Sequence, residues 1–170
     1  MFTKLSLCWS EGTSLISLAI EKLDDSKYSH VYLKFESDDK PTLIYESHLK
    51  GGVQITPYVQ LEKAIVDGRV KSIIERELTD SPEIIQEIWD KATSLHGDAY
   101  DKRQILIYYI WIKYFKRKAT KWINAFNNGK YTCNEFAITV CRAGLTDFAN
   151  LDFSKTPEGL FRFFYGHPSK

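Results

Sequence analysis

The chain has 170 residues, of which 44% are apolar and 26% charged. These fractions are typical of a globular protein and exclude a disordered polymer. The formal net charge of +1 excludes a protein whose binding is governed by overall attraction to nucleic acid. The longest apolar run, residues 105–112, is shorter than the ~20 residues that a membrane-spanning helix needs. We therefore expect one soluble domain over residues 1–170.

The first half of the chain carries most of the predicted strands. Alternation of apolar and polar residues predicts strands, and apolar spacings of three and four residues predict helices. In chain order we predict a strand over residues 2–9, a helix over 15–23, strands over 30–36 and 42–47, an extended segment over 53–55, a short helix over 59–66 and a strand over 70–78.

The second half is predicted to be helical. Ser81, as an N-cap followed by Pro82, starts a helix that runs to about Leu95. Further helices are predicted over residues 102–121, from 133 to just before 144, and over 157–164. The fold class is therefore α+β, with one small, mostly antiparallel sheet packed on helices.

One of the three cysteines lies at a position that favours a reactive thiol. Thr132 and Glu135 form a T-x-x-E capping box, which places Cys133 at the first position of a helix. Unpaired N–H groups and the helix dipole favour a thiolate there. Cys8 and Cys141 have the pattern of buried apolar residues. No export signal is visible, so we expect reduced thiols in a cytoplasmic protein, which suits a bacterial or phage-encoded chain.

A nucleophilic thiol needs a base, and two of the four histidines lie on or beside predicted strands. His30 faces Ser47 or Glu46 if the two strands pair Glu36 with Pro41 or Lys40. Glu46 would then accept a hydrogen bond from one ring nitrogen and leave the other for the thiol. A strand-edge histidine beside a solvated carboxylate is the alternative. His48, two residues beyond Glu46, is the substitute base.

No metal-binding spacing occurs, so we expect neither a metal nor a cofactor. The chain has no C-x-x-C and no H-E-x-x-H motif. Cys133 and Cys141 would lie ~12 Å apart along one helix, too far to share one ion.

Four short motifs occur in an order that resembles a known family. They are Tyr28-Ser-His-Val31, Tyr45-Glu-Ser with Gly51-Gly-Val53, Gly97-x-x-Tyr-Asp101 and Cys133-Asn-Glu-Phe. This order resembles the circularly permuted, papain-like NlpC-type cysteine hydrolases, and within them the YiiX-like branch. The resemblance covers residues from about 5 to 145. It implies a permuted papain-like fold and an amidase or peptidase activity.

The resemblance also implies roles for individual residues. Cys133 would be the nucleophile, His30 the base and Glu46 the third member of a catalytic triad. We expect four neighbouring residues to contact the substrate, namely Ser29, Tyr100, Tyr131 and Asn134. Asn134 stands where the family frequently has a small serine. The cysteine segment is also similar to that of lecithin:retinol acyltransferase-like proteins, so a lipid acyl hydrolase or acyltransferase is the alternative activity.

A basic stretch gives a second hypothesis. No acidic residue lies between Asp101 and Glu135, whereas eight basic residues do. At helical spacing, four of them share one face, namely Lys113, Lys116, Arg117 and Lys121. A solvated helix face is one interpretation, and a surface for an anionic partner such as lipid headgroups or a cell-wall polymer is the other. On the second interpretation the protein is a non-catalytic binding module. We predict no specific nucleic-acid partner.

Overall fold

The structure is a computed structural model that describes residues 1–103, 130–151 and 156–166, with only the backbone of Leu23 and Asp24. The strands are β1 (Lys4–Gly12), β2 (His30–Glu36), β3 (Leu43–His48), β4 (Gly52–Pro57) and β5 (Val70–Thr79). The helices are α1 (Leu15–Asp24), α2 (Tyr58–Val66), α3 (Pro82–Ser94), α4 (Cys133–Cys141) and α5 (Pro157–Tyr165), with a 3-10 turn at Thr146–Phe148. The predicted α+β class is confirmed.

The five strands form one sheet in the order β4-β3-β2-β1-β5, and all four pairs of neighbouring strands are antiparallel. Strand alternation sends successive side chains to opposite faces. On one face, Leu7, Trp9, Leu33 and Phe35 belong to the main core. Residues of α3, α4 and α5 pack against them, so these three helices cover that face.

The opposite face carries a smaller apolar cluster. Cys8, Tyr32 and Ile44 are buried there, and Tyr58 and Leu61 of α2 pack over them. Beside this cluster, Lys34 pairs with Glu75 across the sheet at 2.6 Å. None of the described helices is both long and apolar enough to cross a membrane.

Helix α5 packs against the main core, although it lies far along the sequence from strand β1. The indole N–H of Trp9 donates to the Pro157 carbonyl at 3.1 Å. Its ring also makes edge contacts with Phe161 and Phe164. Thr156 caps this helix by accepting the Gly159 N–H. Strand β1 is thereby joined to a helix almost 150 residues away in sequence.

The predicted element boundaries mostly hold to within one to three residues. Ser81 is the N-cap of α3, but its hydroxyl bonds the Glu83 carboxylate at 2.9 Å and makes no capping bond to the backbone. The helix predicted over residues 102–121 and its basic face lie outside the described residues, apart from Lys102 and Arg103.

Candidate active site

Cys133 is the first residue of α4, as the sequence predicted. The capping box is complete, because Thr132 accepts the Glu135 N–H while the Glu135 carboxylate accepts the Thr132 N–H at 3.0 Å. Only 5% of Cys133 is exposed. The thiol therefore lies at the positive end of the helix, where the local field favours an anion.

His30 connects this thiol to a carboxylate. Its Nε2 is 2.7 Å from Glu46 Oε2, and the Cys133 side chain lies close enough to the same ring to raise its pKa. Because Glu46 occupies Nε2, Nδ1 is the nitrogen left for the thiol. The structure thus brings the three predicted candidate catalytic residues together, with His30 bonded to Glu46 and influenced by Cys133.

His30 and Glu46 each favour the charged form of the other. Burial alone would lower the pKa of His30, but the hydrogen bonds to Cys133 and Glu46 outweigh it and raise that pKa to about 10. Burial opposes ionisation of Glu46 as well, yet the bond to His30 lowers the pKa of Glu46 to about 2. The bond to the Glu46 carboxylate therefore increases the affinity of the His30 ring for a proton, as a general base requires.

The predicted strand register was wrong, although the predicted face was right. The observed pairing joins Leu33 to Tyr45 and Phe35 to Leu43, whereas we expected Glu36 to pair with Pro41 or Lys40. His30 therefore reaches Glu46 diagonally rather than directly across. The connection between β2 and β3, residues 37–42, is longer than a pairing of Glu36 with Pro41 or Lys40 allows. The observed register differs by two residues from the Lys40 pairing, so His30 and Glu46 still lie on one face of the sheet.

Two residues of β4 hold the carboxylate, and the sequence analysis missed both. Thr56 donates its hydroxyl to Glu46 Oε1 at 2.8 Å, and Gln54 Nε2 lies 3.4 Å from the same oxygen. These contacts leave Oε2 for the histidine. The available signal was that Gln54 and Thr56 are polar at alternate positions of a predicted strand beside the one that carries Glu46.

Tyr100 reaches the thiol from a separate loop. Its phenol lies close enough to Cys133 for the two side chains to interact electrostatically. Burial, followed by the charge at Cys133, raises the pKa of Tyr100 well above 10, so the phenol remains a donor. The loop is held against β4, where Val53 N–H donates to the Asp98 carbonyl at 2.8 Å and Gly97 N–H donates to the Val53 carbonyl at 2.9 Å.

The other predicted substrate contacts have visible structural roles. Ser29 is buried, and its hydroxyl accepts the Gly12 N–H at 3.2 Å. Tyr131 packs against the main core and forms a backbone bridge with Tyr100. Asn134 is buried beside Cys133, with its Oδ1 3.2 Å from the Cys133 sulfur.

Ser47 joins the sheet to the segment that leads into α4. Its buried hydroxyl donates to the Tyr131 carbonyl at 2.7 Å, two residues before the thiol. Nothing in the sequence singled out this serine, because its partner is 84 residues away. The contact sets the distance between the strand that carries Glu46 and the helix that carries Cys133.

The remaining thiols and histidines differ from the candidate pair. Cys8 and Cys141 are fully buried, as predicted from their sequence environments, and burial raises the pKa of both thiols. The His48 ring lies 6.1 Å from that of His30, and burial together with the His30 charge lowers its pKa. His96 bonds the Tyr45 hydroxyl through Nδ1 at 3.0 Å.

Other predicted surfaces and sites can be located only in part. The basic residues Lys113, Lys116, Arg117 and Lys121 lie outside the described residues. Within residues 1–103, 130–151 and 156–166, no three His, Cys, Asp or Glu side chains come together as metal ligands. No protein-family model and no curated protein matches the chain.

Proposed function

We propose that the protein is a thiol hydrolase that cleaves an amide bond of a peptide or cell-wall-type substrate through an acyl-enzyme. The observation that carries this proposal is the His30 ring, which bonds Glu46 at one nitrogen and has Cys133 as its other partner. A thiol at a helix N-terminus, a histidine and an orienting acid form the arrangement that activates a cysteine nucleophile.

We infer a permuted papain-like architecture from the order of the elements. The strand that carries His30 precedes the helix that carries Cys133 by about a hundred residues. The sheet is antiparallel, and the helix packs on it with the thiol at the end nearest that histidine. This order matches the motif order that first indicated the family resemblance.

The proposed reaction begins with attack of the Cys133 thiolate on the substrate carbonyl carbon. A C–S bond forms while the carbonyl electron pair moves onto oxygen, where N–H groups at the start of α4 stabilise the anion. Collapse of this intermediate expels the amine, which takes the His30 Nδ1 proton. His30 then removes a proton from water, the hydroxide attacks the thioester, and the acid leaves as the thiolate is restored.

Native-state alkylation tests the nucleophile. Iodoacetamide at pH 7, with the modified residue identified by mass spectrometry, should label Cys133 while Cys8 and Cys141 remain protected. His30→Gln should slow this labelling at least tenfold, because it removes the cation that stabilises the thiolate. Cys8→Ser and Cys141→Ser are the matched controls, and in both variants Cys133 should be labelled at the parental rate.

A chromogenic ester and the corresponding anilide test the chemistry. An active thiol should release a burst of nitrophenol from p-nitrophenyl acetate, with one acyl group retained per Cys133. Turnover of an acyl-peptide anilide would support the amidase, whereas turnover restricted to long-chain esters would favour the lipid acyl hydrolase or acyltransferase. Equal, slow labelling of all three cysteines with no burst would refute the hydrolase and favour the binding module.

A further inference from the structure

The amide of Asn134 contacts the sulfur of Cys133. Its Oδ1 lies 3.2 Å from the Cys133 sulfur, in a geometry in which the thiol S–H donates to the amide oxygen. Asn134 is only 8% exposed, so water has little access to replace either partner. A thiol proton held there is not available to His30.

The thiol therefore has two competing sets of partners. His30 and Tyr100 interact with Cys133 and carry N–H and O–H groups, and donors beside sulfur favour the anion. The Asn134 oxygen is an acceptor, and an acceptor bonds the protonated thiol but repels a thiolate. The two states differ in where one proton lies, on sulfur or on the histidine ring.

We propose that Asn134 holds Cys133 in a protonated resting form by accepting its S–H hydrogen bond, and so limits the reactivity of the free enzyme. The inference rests on the proposed function, because it concerns the same nucleophile. A substrate carbonyl that draws the sulfur away from Asn134 would free the proton for His30. Bulk electrophiles and oxidants, which make no such contacts, would meet the protonated thiol.

The pH profile of alkylation tests the sign of this effect. Asn134→Ala and Asn134→Leu both remove the acceptor, and they should move the midpoint of the iodoacetamide profile down by about 0.5–1 pH unit, the equivalent of one ordinary hydrogen bond. Asn134→Asp supplies a charged acceptor and should move the midpoint up. Thr139→Ala, on the same helix but five residues further along, is the matched control.

An opposite result for the two apolar variants would overturn the proposal. If the amide is turned so that its N–H₂ group donates to a thiolate, then Asn134→Leu must raise the midpoint rather than lower it. An unchanged midpoint would equally exclude a role. Agreement between the small and the large apolar variant separates loss of the acceptor from any effect of a new cavity.

An infrared measurement keeps this inference distinct from the hydrolase proposal. The S–H stretching band of Cys133, obtained as the difference from Cys133→Ser, requires no reactivity. It should be present in the parent and should shift to higher frequency in Asn134→Leu. If the band shifts but Cys133 never labels, the hydrolase proposal fails and the contact stands. If Cys133 labels but the band is absent from the parent or does not move, the Asn134 inference fails.

Discussion

Gly52 lies at the start of β4, where the backbone passes very close to the loop that carries Tyr100. Its φ of +69° falls in the left-handed region, which a side chain disfavours. A Cβ added there would occupy the space of the Asp98 carbonyl oxygen and lie 3.1 Å from the carbon of that carbonyl. These are backbone atoms, so the clash cannot be relieved by a rotamer change.

Gly68 provides an unusually close control. It has the same φ of +69°, and a Cβ added there meets nothing within 4 Å. Gly68→Ala should therefore cost only the left-handed conformation, about 1–2 kcal/mol. Gly52→Ala adds displacement of the loop and weakening of two backbone hydrogen bonds between Val53 and the loop, at about 1 kcal/mol each. We expect a total of about 3–4 kcal/mol.

Urea unfolding followed by circular dichroism measures both free energies, with equal m-values as the condition for comparing them. The same samples are then alkylated at pH 7. Because the displaced loop carries Tyr100, Gly52→Ala should also slow labelling of Cys133, whereas Gly68→Ala should leave the rate unchanged. If the two variants unfold within about 0.5 kcal/mol of each other, the close approach of Gly52 to the loop does not exist in solution. If stability falls but labelling does not, the loop does not support the thiol.

Three other predictions concern single side chains. Glu46→Gln should lower the free energy of unfolding most between about pH 4.5 and 6.5. The lowered pKa of Glu46 stabilises the fold fully above its usual 4.5, and this stabilisation is lost as the pH falls toward 2; the raised pKa of His30 stabilises the fold fully below 6.5, and this stabilisation is lost as the pH rises toward 10. Urea titrations at several pH values check this window. Tyr100→Phe should slow alkylation of the nucleophile about three- to tenfold with less than ~1 kcal/mol of lost stability, and an unchanged rate would remove the hydroxyl from the site. Trp9→Phe should lower the free energy of unfolding in urea by about 2–3 kcal/mol, because it leaves the buried Pro157 carbonyl without its donor. A decrease below ~0.5 kcal/mol would contradict the role of this bond in anchoring α5.

The parts of the site that follow from the sequence are those set by near neighbours in the chain. The capping box spans four residues, so the position of Cys133 at the start of α4 needs no tertiary information. Strand alternation has a period of two, so His30 and Glu46 share a face both in the observed register and in the predicted pairing of Glu36 with Lys40, which differ by two residues. The register itself was not predictable, because it depends on the length and path of the connection between the strands, which composition alone does not determine.

Contacts between distant segments had no local signal. Ser47 is an ordinary strand serine until the Tyr131 carbonyl is placed against it, and Ser29 was predicted to contact the substrate, whereas its hydroxyl accepts the Gly12 N–H. The double glycine at residues 51–52 is typical of a break between elements, but it does not indicate that the backbone at Asp98 packs closely against Gly52. Such residues are recognised only when both partners are known.

The candidate site is thus assembled from three parts of the chain. Helix α4 presents the thiol through its own cap, β4 orients Glu46 through Thr56, and the loop after α3 presents Tyr100. The loop is bonded to β4 at Val53 and bridged to Tyr131 just before α4, so its displacement also disturbs the other two parts. We expect the reactivity of Cys133 to depend on all three parts, because a thiolate without its cation or its phenol donor loses charge stabilisation in a nearly water-free position. Loss of reactivity should therefore precede loss of the fold, whichever part is disturbed first.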